Sequence, residues 1–321
     1  MKVLVIPGLT LPDIGAHDLG RISSAAGPGS EVVVCSPAEA AKQAHDTDVI
    51  LGFVPPRLFA AAPRLRWVHA IASGVDAFLY PAFRDSDVIL TSEKGLVGEH
   101  LADHAFGLLL MLTRQLATAQ RLGPDAWSHR PEMRREEIEL TGLMLGCIGF
   151  GGTGRAMTRR AAAFGMRCQA LDAEPVPGSR EVDTVLPRSA FVPLLETSDV
   201  VAVCCPLTAD TRNLFDDAAF SHMKTSAFLV NVTRGEVMEE AALVRALREQ
   251  RIRGAALDVA PREPLPADSP LWGFANVVMT PHTAGASQFR ASRNVDRFVR
   301  NLERLNAGEP LEGTIDKSKG F

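Results

Sequence analysis

Three charged side chains in the second half of the chain are of types that act on carbonyl groups. Arg234, Glu263 and His282 each come shortly after an apolar segment that predicts a strand. An arginine can hold a carboxylate with two parallel N–H bonds. A histidine exchanges protons near neutral pH, and a neighbouring carboxylate favours its charged form. Besides a hydride donor, these are the groups that the reduction of a ketone to an alcohol requires, because the developing alkoxide must receive a proton.

A glycine-rich turn upstream could hold the hydride donor. Gly149, Gly151 and Gly154 fit G-x-G-x-x-G between an apolar strand and a helix. The first glycine permits a tight turn, the second lets the backbone approach a pyrophosphate, and the third lets helix and strand pack closely. The next strand ends on Asp172, where a carboxylate that binds the adenosine ribose is expected. The pattern predicts a dinucleotide-binding site.

Short apolar strands alternate with helical segments along the chain, which predicts α/β architecture with parallel sheets covered by helices. A length of 321 residues predicts two domains. The predicted strands are 2–6, 31–35, 48–52, 67–71, 88–90, 145–148, 166–171, 200–204, 228–231, 254–259 and 276–279. The predicted helices include 98–122, 155–164, 188–196, 216–222, 239–250 and 290–306.

Composition excludes several classes of partner. With 46% hydrophobic and 22% charged residues and a net charge of −4, the chain gives no reason to expect nucleic acid or an anionic membrane. The longest apolar run, 106–112, is too short to span a bilayer, and the first residues lack the features of a signal peptide. The five cysteines show no C-x-x-C spacing, so neither a zinc site nor a disulfide framework is indicated. A cytoplasmic location is expected.

Two other segments leave alternatives open. His100 and His104 share one helix face, a spacing found in zinc hydrolases, but no third ligand is evident and no metal is expected. The apolar surface of the same helix, 99–122, suggests a subunit contact, whereas residues 123–139 predict a solvated connector. The small-residue turn Ser73, Gly74 and Val75 could bind a carboxylate through backbone N–H groups, or it could be an ordinary turn.

These features together resemble the D-isomer-specific 2-hydroxyacid dehydrogenases, a family that includes the glyoxylate/hydroxypyruvate reductases and phosphoglycerate dehydrogenase. The resemblance covers nearly the whole chain. The stretches that carry it are Gly149–Gly154 with Asp172, residues 198–208, residues 223–235, and residues 254–265 leading to Pro281 and His282.

The resemblance implies two Rossmann-like, doubly wound parallel-sheet domains with a cleft between them. The substrate domain would be discontinuous, made of residues 1–98 plus 288–321, and residues 99–287 would form the dinucleotide-binding domain. A homodimer through the 99–122 helix region is also implied.

Roles follow from the resemblance by position. His282 would be the acid/base, Glu263 its charged partner, and Arg234 the residue that holds the substrate carboxylate and polarises its carbonyl. Backbone amides would bind the same carboxylate. The residues implied for that contact are Ser73, Gly74 and Val75.

The cofactor would be held by the glycine turn and by loops that follow neighbouring strands. Gly152 and Thr153 would meet the pyrophosphate, and Asp258 the nicotinamide amide. The full set of implied cofactor-binding residues is Gly149, Gly151, Gly152, Thr153, Gly154, Asp172, Cys205, Pro206, Val232, Thr233 and Asp258.

The chain departs from the usual family pattern at a few positions. Gly152-Thr153 stands where an Arg-Ile pair is common, so one phosphate contact could be missing, and Glu263 argues against a formate dehydrogenase. No arginine follows Asp172 to receive a 2′-phosphate, and its carboxylate would repel one, so NAD is expected over NADP.

The leading hypothesis is an NAD-dependent enzyme that interconverts a small 2-keto acid and its D-2-hydroxy acid by hydride transfer. The alternative is a non-enzymatic NAD(H)-sensing protein of the same fold. The complete trio of arginine, glutamate and histidine argues against that alternative. The identity of the acid does not follow from the sequence.

Overall fold

A computed structural model describes all of residues 1–321, and the chain forms two compact units. The first unit contains residues 1–97 and 286–321, and the second contains residues 98–285. The predicted boundaries, 1–98 plus 288–321 and 99–287, differ from these by one or two residues. The assignment of substrate binding and cofactor binding to the two units stays a prediction.

The first unit is built on a five-stranded, entirely parallel sheet with the order β2-β1-β3-β4-β5. Its strands are β1 (Lys2–Val5), β2 (Glu31–Val34), β3 (Val49–Leu51), β4 (Trp67–His69) and β5 (Ile89–Thr91). Its helices are α1 (Ala16–Ala26), α2 (Ala40–Gln43), α3 (Pro56–Ala60) and α4 (Pro81–Arg84), with α12 (Arg290–Ala307) returning from the end of the chain and a 3₁₀ turn at Asp76–Phe78. Alternate strand residues enter two separate apolar clusters, so both faces of the sheet are buried.

The second unit has seven parallel strands in the order β12-β11-β10-β9-β6-β7-β8. The strands are β6 (Met144–Ile148), β7 (Arg167–Asp172), β8 (Leu186–Pro187), β9 (Val200–Val203), β10 (Phe228–Asn231), β11 (Gly254–Leu257) and β12 (Val277–Met279). The α-helices are α5 (Gly98–Thr113), α6 (Leu116–Leu122), α7 (Arg130–Glu136), α8 (Gly152–Ala163), α9 (Phe191–Thr197), α10 (Asp217–His222) and α11 (Glu240–Arg248). Four 3₁₀ turns complete the unit, at Gly123–Trp127, Arg188–Ala190, Gly235–Val237 and Pro270–Gly273.

The order of the second sheet confirms the doubly wound α/β fold. Its direction reverses between β6 and β9, and in such sheets ligands bind beyond the carboxyl ends of the strands at this switch point. Every predicted strand is present, with ends shifted by up to two residues. No helix of the chain has the length and apolarity needed to cross a membrane.

Three helical predictions need correction. The predicted helix 98–122 is interrupted, because Gln115 adopts φ +54° and separates α5 from α6. The predicted helix 155–164 begins earlier, at Gly152, so the last glycine of the turn lies inside α8. The predicted connector 123–139 contains a 3₁₀ turn and α7, although its residues are largely exposed, as expected.

His69 is a buried histidine at the end of β4. Its Nδ1 is 2.6 Å from the hydroxyl of Thr91, which also accepts a hydrogen bond from Trp67 Nε1 at 2.8 Å. Burial, with a smaller contribution from the charge of Arg297, lowers the pKa of His69 to about 3 from its ordinary value of 6.5. The imidazole therefore stays neutral in the folded protein well below pH 6.5.

This burial predicts acid sensitivity. Below pH 6.5 the unfolded chain binds a proton at His69 that the folded protein does not, so His69 contributes a fall in the free energy of unfolding of about 1.4 kcal/mol per pH unit between roughly pH 5.5 and 4. Replacing His69 by Asn should remove this contribution, which corresponds to the uptake of about one proton on unfolding. The free energy of unfolding is measured by denaturant unfolding at several pH values. The exposed His129→Asn variant is the control, and an unchanged slope in His69→Asn would contradict a neutral buried imidazole.

Candidate active site

The glycine turn links β6 to α8, and two of its glycines are required by the protein's own backbone. Gly149 has φ +97°, a left-handed conformation that favours glycine, and a Cβ there would lie 2.7 Å from the amide nitrogen of Cys205. A Cβ on Gly154 would overlap the carbonyl oxygen of Gly149. The turn therefore packs against the loop that follows β9 and against the first turn of α8.

Gly151 differs because nothing in the protein requires a glycine there. Its φ is −76°, and a Cβ would meet no atom within 4 Å. It precedes Gly152 and Thr153 at the start of a twelve-residue helix, whose first N–H groups lack intrahelical partners and favour an anion. Open space beside these donors fits the close approach of a pyrophosphate.

Asp172 ends β7 and is tied to the glycine turn. One carboxylate oxygen accepts a hydrogen bond from the amide of Phe150 at 2.7 Å, and the other accepts from the amide of Glu174 at 3.0 Å. Since a carboxylate offers about four acceptor positions, both oxygens keep capacity for further donors. The residue is half-buried beside the turn, an arrangement that fits the hydroxyl groups of a ribose.

Glu263 and His282 form a direct pair. Glu263 Oε2 lies 2.6 Å from His282 Nδ1, and Glu263 Oε1 accepts a hydrogen bond from the amide of Ala260 at 3.0 Å. Because a carboxylate only accepts, Nδ1 carries a proton and donates it to Glu263, which leaves Nε2 for proton exchange with another molecule. The side chain of His282 is 42% exposed and that of Glu263 is 38% exposed, so a ligand can reach them.

Arg234 follows β10 in a turn organised by Asn231. The fully buried Asn231 donates from Nδ2 to the carbonyl oxygen of Arg234 at 2.9 Å, and its Oδ1 accepts from the amide and the hydroxyl of Thr233. The guanidinium donates to the carbonyl oxygen of Thr233 at 2.9 Å. No local pattern in the sequence indicated that Asn231 holds the arginine turn.

Gly235 brings the arginine loop against the loop of Glu263. A Cβ at Gly235 would overlap the carbonyl group of Ala260, three residues before Glu263. Only a residue without a side chain allows this backbone contact between the segments that follow β10 and β11. The structure thus places the Arg234 turn beside the Glu263–His282 pair, with the glycine as the contact that sequence reasoning missed.

Asp258 is the organising carboxylate of the loop that carries His282. Oδ1 accepts from the Thr280 hydroxyl at 2.6 Å and the Thr283 amide at 2.9 Å, and Oδ2 accepts from the Ala284 amide at 2.8 Å. The carbonyl oxygen of Asp258 accepts from the His282 amide at 2.7 Å. One acceptor position on Oδ2 remains for the implied nicotinamide contact.

The other residues implied for the cofactor lie around the glycine turn and β10. Cys205 is buried against Gly149, and burial raises the pKa of its thiol to about 12, so it acts as an apolar wall. Val232 is buried after β10, whereas Pro206 is exposed. All of these residues lie at the carboxyl edge of the second sheet.

Ser73, Gly74 and Val75 lie in the first unit, after β4. The carbonyl oxygen of the preceding residue, Ala72, accepts a hydrogen bond from the amide of Glu93 at 3.1 Å. The Glu93 carboxylate is 1% exposed and bonded by the Arg290 guanidinium and by Asn294 Nδ2. The segment is therefore fastened through Glu93 to the start of α12.

The two helix histidines lie on α5. The chain contains no group of three or more His, Cys, Asp or Glu side chains that could hold a metal ion. His104 Nε2 instead lies 2.7 Å from the hydroxyl of Thr280, beside the loop of His282.

Comparison with known proteins identifies the family. A family model described as "D-isomer specific 2-hydroxyacid dehydrogenase, NAD binding domain" matches residues 106–284. The chain belongs to this family. It is accordingly an oxidoreductase that interconverts keto acids and hydroxy acids, and the NAD(H)-sensing alternative is not favoured.

Several members of the family resemble the chain over most of its length. A glyoxylate reductase of Korarchaeum cryptofilum is 33% identical over 95% of this chain and 91% of its own. A glyoxylate reductase of Thermofilum pendens is 32% identical over 87% and 84%. The structure of a glyoxylate/hydroxypyruvate reductase of Sinorhizobium meliloti, in complex with NADP and sulfate, superposes with a TM-score of 0.81 at 25% identity and covers 100% of both chains.

The glycine turn gives a matched pair of variants. Gly151→Ala should fold with an unchanged Tm, because the new methyl group meets nothing, but should weaken dinucleotide binding by about tenfold or more where it meets the phosphates. Gly154→Ala should lower Tm instead, because its methyl group overlaps the backbone. Thermal unfolding and fluorescence titration with NADH separate the two effects. Full NADH affinity in Gly151→Ala would disprove the phosphate contact.

Proposed function

We propose that the protein is a reductase that converts a small 2-keto acid to its D-2-hydroxy acid, with NADH as the preferred hydride donor. The observation that carries the proposal is the 2.6 Å contact between His282 Nδ1 and Glu263 Oε2. This pair presents the second ring nitrogen of an accessible histidine, beside the arginine turn and at the same sheet edge as the glycine turn.

The chemistry of the chain's own residues is proton transfer and charge stabilisation. The bound nicotinamide supplies the hydride. His282 gives its Nε2 proton to the oxygen of the substrate carbonyl, and the Glu263 carboxylate stabilises the imidazolium that exists before this transfer. In the reverse direction the neutral imidazole takes the proton from the hydroxyl group.

Arg234 is proposed to hold the substrate carboxylate and to polarise the adjacent carbonyl, as guanidinium geometry suits two parallel bonds to a carboxylate. The backbone amides of residues 73–75 are proposed to bind the same carboxylate. Two features support the assignment. The turn follows a parallel strand, and the carbonyl oxygen of the preceding Ala72 accepts a hydrogen bond from the amide of Glu93.

NADH is proposed over NADPH because of Asp172. A carboxylate that accepts ribose hydroxyls also repels a 2′-phosphate, and neither Ala173 nor Pro175 offers a compensating cation. The S. meliloti relative was solved with NADP, so the relative affinity of this chain for NADH and NADPH is the measurement that tests the preference.

A homodimer and a reducing compartment complete the proposal. Leu116 on α6 and Trp127 in the following 3₁₀ turn are 53% and 80% exposed, which supports a subunit contact near the predicted helix region 99–122. All five cysteines are free thiols, which suits the cytoplasm.

The acid/base role predicts the effect of replacing His282. His282→Ala should lower kcat for keto-acid reduction by roughly 10²- to 10⁴-fold. Glu263→Gln should lower kcat less, by about 5- to 10-fold, because the amide still accepts from Nδ1 but lacks the charge. Turnover is measured as NADH oxidation with glyoxylate, hydroxypyruvate and pyruvate.

His129→Ala is the control for the histidine substitution, since this exposed residue contacts only its own turn. If His282→Ala turned over at nearly the normal rate, another group would have to transfer the proton and the proposed function of the pair would fail.

The cofactor preference predicts the effect of replacing Asp172. Asp172→Ala should weaken NADH binding by about 1.5–3 kcal/mol, the value of a hydrogen bond to a charged group, and should weaken NADPH binding much less because repulsion is removed. The ratio of the two dissociation constants is the measurement. Equal losses for NADH and NADPH would show that Asp172 acts only by supporting the glycine turn through Phe150.

A further inference from the structure

His104 contacts the loop of His282 although it lies on α5, well before the loop in sequence. Its Nε2 is 2.7 Å from the Thr280 hydroxyl and 3.4 Å from Asp258 Oδ1. The side chain is 25% exposed, whereas that of Asp258 is completely buried. A histidine is thus the titratable group that faces the buried carboxylate.

The hydrogen bonds in this chain of contacts have a single direction. A carboxylate accepts only, so the Thr280 hydroxyl uses its one proton on Asp258 Oδ1, at 2.6 Å. The hydroxyl oxygen can then only accept from its other neighbour. His104 Nε2 must therefore carry a proton and donate it to Thr280.

The Asp258 carboxylate, the last acceptor in this series of hydrogen bonds, fixes the backbone around His282. The Asp258 carboxylate accepts hydrogen bonds from the amides of Thr283 and Ala284, and the Asp258 carbonyl oxygen accepts one from the amide of His282. His282 has φ +54°, a conformation that non-glycine residues adopt only when neighbouring contacts hold them there. A rotation of the Asp258 side chain would release two of these amides.

We propose that His104 is a positioning residue for His282. Its Nε2–H, acting through the Thr280 hydroxyl, holds the Asp258 carboxylate in the orientation that fixes the backbone of residues 282–284. The consequence for turnover rests on the proposed function of His282, whereas the consequence for the backbone does not. Displacement of an acid/base group by about 1 Å can cost up to 10²-fold in rate.

Two pairs of variants test the proposal. His104→Leu and Thr280→Val remove the donor and the bridging hydroxyl, and each should lower kcat roughly 10- to 100-fold while changing KM for the keto acid much less. His104→Gln and Thr280→Ser should restore most of kcat, because an amide nitrogen and a hydroxyl occupy the same positions. Thr113→Val is the control, since it removes a buried threonine hydroxyl from α5, the helix of His104, without touching the loop.

Amide hydrogen exchange gives a readout that does not depend on turnover. In His104→Leu, the amides of residues 282–284 should exchange about fivefold to tenfold faster, and in His104→Gln they should not. Unchanged exchange in His104→Leu, failure of His104→Gln to rescue, or an equal loss in Thr113→Val would each overturn the proposal. If the unmodified protein reduced no keto acid, the exchange measurement would still decide it, and only the proposed function would fail.

Discussion

In the second unit, every parallel strand ends at the same edge of one sheet, and the candidate site depends on this constraint. The loops that follow five neighbouring strands of the sheet, β6, β9, β10, β11 and β12, place the glycine turn, Cys205, Arg234, Glu263 and His282 at that edge. Neighbouring loops then contact one another directly, so the positions of the side chains are set by backbone packing. Residues more than a hundred positions apart in the chain form one site because their strands are neighbours in the sheet.

Much of this arrangement follows from local signals in the sequence. Strands such as β10 are apolar runs that can be recognised in the sequence. The charged residues in the loops that follow them, such as Arg234 after β10, indicate the chemistry of the site. The glycine spacing similarly fixes the turn before α8. These features are predictable because each depends on a few consecutive residues and on a fold in which strand ends meet.

The rest depends on contacts between distant segments. The break between α5 and α6 falls at Gln115, which has φ +54° although neither it nor its sequence neighbours is glycine or proline. The part played by Asn231 in holding the arginine turn, and that of Thr280 in linking α5 to Asp258, requires knowing which loops are adjacent. A short two-residue strand, β8, was missed because it contains a proline and has no periodicity.

The two carboxylates nearest to His282 show how environment separates their tasks. Asp258 is completely buried, and hydroxyl and amide donors occupy most of its acceptor positions, so it serves the geometry of the loop. Glu263 is 38% exposed and contacts the imidazole itself, so its charge acts on the proposed acid/base. The same functional group, a carboxylate, thus fills a structural role at Asp258 and an electrostatic role at Glu263.

The contact of Gly235 with Ala260 couples two loops that the sequence separates. A side chain at Gly235 would push the loop after β11 outward and carry Glu263 with it. Insertions or larger residues after β10 are therefore tolerated only together with compensating changes after β11. Among relatives of this protein, the sequences of the loops after β10 and after β11 should therefore vary together, because the backbone contact constrains both loops.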